Sequence, residues 1–257
     1  MATELGRLGL PLTLIDLPGE KLEEHNILRH ELGYASLGKS KVEELARHIH
    51  NLNPETPITC AELDVAMDRV EFKRLIQSQQ PDILIAATDN YESKHILNED
   101  AMAFGLPVVG AGVYDGGIAG ECYITRPGGA CFACLVTHLQ LQDLAPKRSA
   151  RDIDYSNLEL KELQSTAALN LDIAQIALIQ SRVVLNLLLD GATDLIGVPP
   201  EVNLIVFANR RVPGHFERPL HAEFIHFDRV PDCLVCSSQC ASEIDREASR
   251  IIGALNS

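Results

Sequence analysis

The sequence predicts an α/β protein built on a doubly wound, mostly parallel sheet that continues into antiparallel C-terminal strands. Apolar, strand-like runs alternate with helical segments through residue 113, which is the pattern of a doubly wound sheet. Beyond that point the chain shows shorter segments with the alternation of antiparallel strands. The length of 257 residues suits one large domain or two small ones, and we expect a single domain over residues 1–257.

The N-terminal half contains four predicted strands with helices between them. Residues 82–89, DILIAATD, are a continuous apolar run that ends in polar residues, as expected of a central parallel strand. Residues 39–51 place Val42, Ala46 and Ile49 on one helical face. In order, the predicted elements are a strand at 11–16, a helix at 39–51, a strand at 57–65, a helix at 69–79, a strand at 82–89, a helix at 91–104 and a strand at 107–113.

The C-terminal half is predicted to be more irregular. Its longest apolar pattern, at 166–190, is interrupted by polar residues such as Asn170 and Gln180, and no uninterrupted apolar stretch reaches the roughly 20 residues that span a membrane. We therefore interpret this pattern as a buried core helix and expect no membrane partner. The other predicted elements are an antiparallel strand or hairpin at 117–127, a polar surface loop at 140–165, strands at 202–209 and 221–228, and a short helix at 241–254.

The charge balance excludes one class of partner. Lys and Arg total 22 against 36 Asp and Glu, which gives a formal net charge of −14. A nucleic-acid backbone repels a surface of this charge, so we expect no nucleic-acid partner, although a local basic pocket could hold a small anion. The N-terminal residues MATELGRLGL lack the basic and apolar regions of a signal peptide, which predicts a cytoplasmic protein.

Four of the seven cysteines fall into two C-x-x-C pairs, CFAC and CLVC. Two such pairs suit a tetrahedral Cys₄ zinc site, because each supplies two thiolates from one tight turn. The alternative is two redox pairs or unrelated buried thiols. With all four positions taken by sulfur, the zinc would be structural and would join the knuckles at 131–134 and 233–236. The predicted ligands are Cys131, Cys134, Cys233 and Cys236.

Acidic residues follow two of the predicted parallel strands. Asp16 follows LTLI and Asp89 follows ILIAAT, and ligands of doubly wound sheets bind at the carboxyl ends of such strands. Between them in sequence, Arg29 offers a bidentate guanidinium and Lys41 a point charge for phosphate. Each residue alone could be a solvated surface charge, but together at strand ends they favour a phosphate site. The acids could then bind ribose hydroxyls and phosphate-bound Mg²⁺.

Several longer motifs carry a family resemblance. The segment LTLIDLPGEKLEEHNILRHELGYASLGKSKVEELARHIHNLNP resembles the second-strand region of the ThiF/MoeB/HesA family, relatives of the ubiquitin-activating enzymes. The segment ILIAATDNYESKHILNEDAMAFGLPVVGAGVYDGGIAGECYITRPGGACFAC resembles the following stretch, with its TDN turn and first zinc knuckle, and FIHFDRVPDCLVC resembles the second knuckle. The motifs occur in the family's order across residues 8–240. They imply a Rossmann-like fold and a homodimer or heterodimer.

The resemblance also implies an activity. Members of this family use ATP and Mg²⁺ to adenylylate the C-terminal glycine of a ubiquitin-like or sulfur-carrier protein, releasing pyrophosphate. By matching position, Asp16 would bind the ATP ribose, and Asn26 and Arg29 would contact the phosphates. Lys41 would stabilise charge on the α-phosphate, and Asp89 would orient Mg²⁺. The implied nucleotide-site residues are Asp16, Asn26, Arg29, Lys41, Asp89 and Asn90, with Arg29, Lys41 and Asp89 as the catalytic ones.

One family feature is missing from the match. Members begin with a glycine-rich G-x-G-x-x-G turn after their first strand, whereas LGRLGLPLTLID resembles the end of the first helix running into the second strand. The first strand is normally central, so we expect two exposed strand edges. One explanation is that the sequence is part of a longer polypeptide or a split protein. The other is a degenerate, non-catalytic relative with a repaired sheet.

The lysine pair and the crossover loop carry two further expectations. Lys39 competes with Lys41 for the catalytic role, and the spacing of the motif favours Lys41. The substrate's tail would lie beneath the crossover loop at 140–165, and no cysteine occurs between Cys134 and Cys233 to form a thioester there.

Two alternative functions fit part of the sequence. A non-catalytic partner subunit would keep the zinc and the dimer surface without turning over ATP. A nicotinamide-dependent oxidoreductase would explain the sheet and Asp16, but not the lysine, the TDN turn or the two knuckles.

Overall fold

The computed structural model describes residues 1–139, 168–189, 198–211 and 216–237, so the predicted loop at 140–165 and the predicted helix at 241–254 lie outside the described residues. The strands are β1 (Leu12–Asp16), β2 (Ile58–Glu62), β3 (Leu84–Ala86), β4 (Val108–Val113), β5 (Ala119–Thr125), β6 (Leu204–Ala208) and β7 (His221–Ile225). The helices are α1 (Ala2–Arg7), α2 (Lys41–Leu52), α3 (Arg69–Gln79), α4 (Tyr91–Phe104), α5 (Phe132–Leu139) and α6 (Asn170–Leu188). Of these, α1 and α5 are the helices that the sequence pattern did not predict, although the family resemblance implied the end of a helix just before β1.

The strands form two sheets rather than the single, mostly parallel sheet that the sequence predicts. β1 pairs in parallel with β2. The second sheet has the order β3-β4-β5-β6-β7, in which β3 and β4 are parallel and the later pairings are antiparallel. The predicted antiparallel C-terminal strands are therefore confirmed. The description "mostly parallel" is wrong, because three of the five pairings in the described residues are antiparallel.

β1 and β3 each leave one edge unpaired. Ile15 and Leu84 pack into the core on one face, and Leu12 and Ile85 pack into the core on the other, so the two sheets share both cores. Within the described residues no strand pairing joins them. Each strand therefore presents backbone N–H and C=O groups without a strand partner, and all five residues of β1 are half-buried. In the described residues, two strand edges thus lack a partner strand, as the sequence analysis expects.

Helices cover both faces of the sheets. On one face, α3, α4 and α5 contribute Phe72, Leu97 and Phe132 to the core. On the other face, α1 and α6 contribute Leu5 and Val183. Each fully buried side chain of this size stabilises the fold by about 1.5–3 kcal/mol. Because the helices cover the faces of the sheets and not the strand ends, the carboxyl ends of the parallel strands stay open for a site.

α6 packs against the antiparallel sheet through polar as well as apolar contacts. Gln180 Nε2 donates a hydrogen bond to the carbonyl oxygen of Val109 in β4 at 3.1 Å, and Val184 lies in the core. This helix is long and apolar enough to cross a membrane, and 33% of its most apolar stretch is buried. The core helix of a soluble protein can have the same length and composition. The contacts of α6 with β4 and β5 are those of a helix packed on a sheet.

Candidate functional site

β1 places Asp16 at the open end of the first sheet. Asp16 is its last residue, and its Oδ1 accepts a hydrogen bond from the backbone N–H of Leu17 at 2.9 Å. Glu62 lies beside it at the end of β2, where it accepts hydrogen bonds from Gly19 N–H at 3.3 Å and from Ser40 Oγ at 3.2 Å. Glu62 thus ties the loop after β1 to the start of α2, a role that no sequence motif indicates.

Asn26 supports the loop that carries Arg29. It ends a short 3₁₀ helix, and its Oδ1 accepts a hydrogen bond from the backbone N–H of Glu23 at 3.0 Å. Only 8% of Asn26 is exposed. The family resemblance implies a phosphate contact for this residue, but its side-chain oxygen holds the local turn. The amide nitrogen is the part of the side chain that a ligand could still use.

The first residue of α6 fixes the backbone of the same loop. The backbone N–H of Asn170 donates to the carbonyl oxygen of Leu28 at 2.8 Å. Its Nδ2 donates to the carbonyl oxygens of Arg29 at 3.4 Å and His30 at 3.2 Å. The contact joins residues 140 positions apart in sequence, so the local pattern could not reveal it.

Three of the predicted site residues act electrostatically on His30. Its Nδ1 accepts a hydrogen bond from the Leu32 N–H at 3.0 Å, so the neutral ring carries its proton on Nε2. Burial lowers the pKa of His30, the charge of Lys41 lowers it further, and Asp16 opposes the shift. Arg29 also acts on the pKa of the ring. Asp16, Arg29 and Lys41 therefore lie within electrostatic reach of one imidazole, which the sequence analysis did not assign to the site.

Lys41 begins α2 and is held by a carboxylate. Its Nζ lies 2.8 Å from Glu20 Oε2, and its side chain is 21% exposed. Lys39 has different neighbours, because its Nζ donates to the carbonyl oxygen of Ala35 at 2.8 Å and lies 3.7 Å from Glu44 Oε2. The two lysines thus make separate contacts. Glu20 is a neighbour of the site that has no sequence signal of its own.

Asp89 and Asn90 follow β3 at the end of the second sheet. Asn90 caps α4, since its Oδ1 accepts a hydrogen bond from Glu92 N–H at 2.9 Å, and its own N–H donates to Thr88 Oγ1 at 3.1 Å. Asp89 is exposed, and its charge acts on the pKa of Lys94. The TDN turn therefore starts a helix, with Asp89 as the member of the turn that is open to a ligand.

The candidate nucleotide site is thus divided between the two sheets. Asp16 ends β1, and Arg29 and Lys41 lie in the segment between β1 and β2, whereas Asp89 and Asn90 follow β3. Since no strand pairing joins β1 to β3 in the part of the chain that the structure describes, the shared cores position the two halves.

A cavity of about 380 Å³ lies beside the first half of this site. Ser36, Lys39, Glu44 and Arg47 are among its lining residues. The Glu44 carboxylate accepts a hydrogen bond from Ser36 Oγ at 2.9 Å and forms ion pairs with Arg47 and Lys39. These basic groups already have a carboxylate partner, so we place the candidate site at the strand ends and not in this cavity.

Cys131, Cys134, Cys233 and Cys236 meet in one buried cluster, with all four Sγ atoms within 4.8 Å of one another. The Sγ atoms of Cys134 and Cys236 are 3.4 Å apart, and those of Cys131 and Cys233 are 3.7 Å apart. Four sulfurs at about 2.3 Å from Zn²⁺ in a tetrahedron would be about 3.8 Å apart. A disulfide would need about 2.05 Å. The donor set therefore fits a metal ion.

Burial and hydrogen bonding act differently on three of these thiols. Burial would raise the pKa of Cys233, but hydrogen bonds from backbone N–H groups of its own knuckle outweigh it and lower that pKa. Burial dominates at two others, since it raises the pKa of Cys131, and it raises the pKa of Cys236 to about 11. Near neutral pH such thiols keep their protons unless a metal displaces them. The backbone N–H of Val230 donates to Cys134 Sγ at 3.4 Å, a contact that orients a sulfur ligand from outside the cluster.

The fold and the site together define a Rossmann-like α/β protein with a four-cysteine cluster of the metal-binding type. Solved structures of E. coli MccB share this fold. The structure with AMPCPP and selenomethionine MccA gives a TM-score of 0.62 at 15% identity over 92% of this chain and 64% of that chain. The structure with ATP gives a TM-score of 0.58 at 17% identity over 87% of this chain and 59% of that chain. At this identity the likeness shows the fold alone.

The chain belongs to the ThiF family, whose model matches residues 2–218. Over 143 residues, it is 27% identical to ubiquitin-like modifier-activating enzyme 5 of Xenopus laevis. This match covers 52% of this chain and 36% of that protein. Over 99 residues, the chain is 26% identical to SAMP-activating enzyme E1 of Haloferax volcanii. This match covers 38% of this chain and 34% of that protein. The matched part spans about a third of the length of these relatives. The expected family is confirmed.

Proposed function

We propose that this chain provides the nucleotide-binding part of an ATP-dependent adenylyltransferase. Its substrate would be the C-terminal glycine of a ubiquitin-like or sulfur-carrier protein, and pyrophosphate would be the leaving group. The observation that carries this proposal is the position of Asp16 at the open end of β1 and of Lys41 at the start of α2, with Arg29 in the loop between them and all three able to act on the pKa of His30. A carboxylate for ribose hydroxyls and two cations for phosphates are the groups that adenylylation needs. The related activating enzymes support the same class.

The proposed reaction needs no protein nucleophile. A carboxylate oxygen of the substrate forms a bond to the α-phosphorus of ATP as the bond to the departing pyrophosphate breaks. Lys41 and Arg29 would neutralise the charge that builds on the phosphate oxygens, which lowers the barrier because both cations are already in place. Asp89 is exposed after β3 and would hold Mg²⁺, which supplies further charge neutralisation when bound.

Lys41 has a carboxylate partner that a phosphate would have to replace. The Glu20 carboxylate lies 2.8 Å from Lys41 Nζ. Phosphate offers several charged acceptor oxygens, so Lys41 would exchange Glu20 for phosphate when ATP binds. The pair is partly exposed, so breaking it costs at most about 1 kcal/mol.

The four-cysteine cluster would bind a structural zinc ion. All four tetrahedral positions would be taken by thiolates, which leaves no position for a reacting water. The family resemblance further supports a homodimer or heterodimer and a cytoplasmic location as parts of the same proposal.

A non-catalytic partner subunit is the second candidate. The unpaired edges of β1 and β3 favour it, because no continuous sheet joins the two halves of the candidate site in the described residues. The presence of Asp16, Arg29 and Lys41 in one group favours the enzyme, since a scaffold has no need of them.

Calorimetric titration with ATP and Mg²⁺ tests the proposal. The parent chain should bind, and Lys41→Ala and Asp89→Ala should each weaken binding by about tenfold or more, because each removes a charge that faces the phosphates or their metal. Lys39→Ala is the matched control: it removes the same charge two positions away, where the lysine contacts Ala35 and Glu44 instead.

The outcomes separate the two candidates. No ATP binding by the parent chain would favour the partner subunit. Equal binding by the Lys41→Ala and Lys39→Ala variants would contradict the role of Lys41. Pyrophosphate exchange that persists at the parent rate in Lys41→Ala, with the fold intact, would contradict it as well.

A further inference from the structure

A second cavity lies at the opposite end of the second sheet from Asp89, and the proposed chemistry does not use it. Its volume is about 250 Å³, and its walls come from the end of β5, the residues before β6 and the residues after β7. Thr125 of β5 pairs with Val108, the first residue of β4, whereas Asp89 lies beyond the carboxyl end of the parallel strand β3. We call it the arginine cavity, and its charged lining residues are Arg126, Glu201, His226, Asp228 and Arg229.

Two arginines line this cavity without a carboxylate partner in the described residues. Arg126 Nη1 donates a hydrogen bond to the carbonyl oxygen of Val202 at 3.3 Å, which leaves the Nε and Nη2 edge of the guanidinium for a ligand. Burial lowers the pKa of Arg126, and no described carboxylate opposes this shift. Arg229 is exposed at the edge of the cavity. Both guanidinium groups are therefore available to an anion.

The other charges of the arginine cavity leave a small positive excess. His226 Nδ1 lies 2.7 Å from the carbonyl oxygen of Glu201, and its Nε2 lies 3.1 Å from Asp228 Oδ1. Both ring nitrogens thus face acceptors, and these hydrogen bonds raise the pKa of His226. The protonated ring and Asp228 offset each other. What remains is Arg126 and Arg229 against the single carboxylate of Glu201, an excess of one positive charge.

Apolar side chains form the rest of the wall. Ile124 and Phe227 are almost fully buried and line the cavity together with Ala130 and Pro200. Ligand sites in proteins combine such apolar walls with a few convergent polar groups, and those for drug-sized molecules begin at about 300 Å³. The arginine cavity is smaller, so it suits a ligand of the size of a simple metabolite.

We propose that the arginine cavity binds a small hydroxycarboxylate. The free edge of Arg126 presents two parallel N–H donors, which a planar carboxylate accepts as a bidentate pair. One carboxylate also offsets the excess positive charge. No described group donates a hydrogen bond to the side chain of Glu201, so this side chain is available to accept one from the ligand's hydroxyl. The site does not depend on the proposed adenylylation, which uses the other end of the strands.

The arginine cavity lies between the two chain segments that lead to the cysteine cluster. Ala130 directly precedes Cys131. Arg229 directly precedes Val230, whose N–H donates to Cys134 Sγ at 3.4 Å. A ligand that contacts both walls would join these two segments, and its binding would stabilise the part of the fold that holds the four cysteines.

Three small ligands that share a methyl group test this proposal: L-lactate, L-lactamide and propionate. Lactamide lacks the anionic carboxylate, and propionate lacks the hydroxyl. Binding to the full chain, without ATP and in a buffer free of other carboxylates, is measured by saturation transfer from the protein to the methyl protons. Lactate should bind with a dissociation constant of about 1 mM, as expected of so small a ligand. Lactamide should bind at least about tenfold more weakly, and propionate about threefold more weakly.

Substitutions in the cavity locate the binding. Arg126→Gln should weaken lactate binding at least about tenfold and remove the preference for lactate over lactamide. Arg126→Lys keeps the charge without the bidentate edge, so its affinity for lactate should lie between those of the parent and Arg126→Gln. Glu201→Ala should bind lactate and propionate about equally. Arg74→Gln is the matched control, because Arg74 is an arginine on α3 that pairs with Glu71, and it should bind lactate as the parent does.

The outcomes decide for or against the site, and circular dichroism of each variant checks the fold. No binding of lactate, equal binding of lactate and lactamide by the parent chain, or equal losses in Arg126→Gln and Arg74→Gln would overturn it. Equal binding of lactate and propionate by the parent chain would overturn the contact with Glu201. Since no ATP is present, these results are separate from the test of the adenylyltransferase: a chain that binds lactate through Arg126 and does not bind ATP would keep this site and lose the proposed function.

Discussion

At the scale of single residues, Glu20 sets how available Lys41 is to a phosphate. Its Oε2 lies 2.8 Å from Lys41 Nζ, so the lysine must leave this partner when ATP binds. Glu20→Gln removes the competing charge, and we expect ATP to bind up to about fivefold more tightly, the value of a partly exposed ion pair. Calorimetric titration measures this, with Glu71→Gln on the exposed side of α3 as the control. Weaker binding in Glu20→Gln would show that the carboxylate orients Lys41 instead of competing for it.

His30 gives the same site a pH dependence. Burial, helped by Lys41, lowers its pKa below the ordinary value of 6.5, so the unfolded chain takes up the proton more readily. The free energy of unfolding should therefore fall as pH decreases from about 6.5 through the lowered pKa, and His30 should add no pH dependence at higher pH. His30→Gln removes the titrating group and should flatten this part of the curve. Urea unfolding at several pH values between 7.5 and 5 measures it, and curves of equal slope for both chains would contradict the assignment.

The sequence could predict some of these residues and not others. Asp16 and Asp89 follow apolar runs, a local pattern, and the structure places Asp16 as the last residue of β1 and Asp89 three residues after β3. The same pattern gave no hint that Asn26 and Asn90 use their side-chain oxygens to hold a turn and cap a helix. Glu20 carries no sequence signal, because its contact with Lys41 spans 21 residues of chain.

At the scale of elements, β1 and β3 each have one edge without a strand partner in the described residues, which predicts that the sheets are unevenly protected from hydrogen exchange. Backbone amides that lack a strand partner open locally at low cost, whereas β5 is paired on both sides and buried at all seven positions. In hydrogen–deuterium exchange, peptides covering 12–16 and 84–86 should exchange at least about tenfold faster than those covering 119–125. Equal protection of all three segments would show that the two edges are covered in solution.

The strands themselves were predictable, and their arrangement was not. Apolar runs predict β1, β3 and β4, because the apolar residues of each segment are themselves the ones that become buried. Which strands pair with each other depends on which other strands lie beside them in the fold. The run DILIAATD has the composition of a strand with partners on both sides, yet in the described residues β3 pairs with β4 alone. The antiparallel step from β4 to β5 follows from a short connection, since the few residues between them can only reverse the chain.

At the scale of the whole molecule, two sheets share both cores although no strand pairing joins them in the described residues. Ile15 and Leu84 meet the same cluster, as do Leu12 and Ile85 on the other face. Side-chain packing in the two shared cores, and not strand pairing, therefore sets the relative position of the two halves of the candidate site. The four-cysteine cluster adds a second long-range connection, since Cys131 and Cys233 are 102 residues apart in sequence.

That connection predicts how the molecule depends on metal. A structural zinc ion would join the start of α5 to the segment after β7, and its binding energy would become folding energy. The purified chain should hold one zinc per chain by elemental analysis, and chelation or Cys233→Ser should lower the midpoint of thermal unfolding by about 10 °C or more. Cys60→Ser is the matched control, because Cys60 is exposed on β2 and outside the cluster. Equal midpoints for Cys233→Ser and Cys60→Ser, with no metal in either chain, would show that the four thiols stabilise the fold by packing alone.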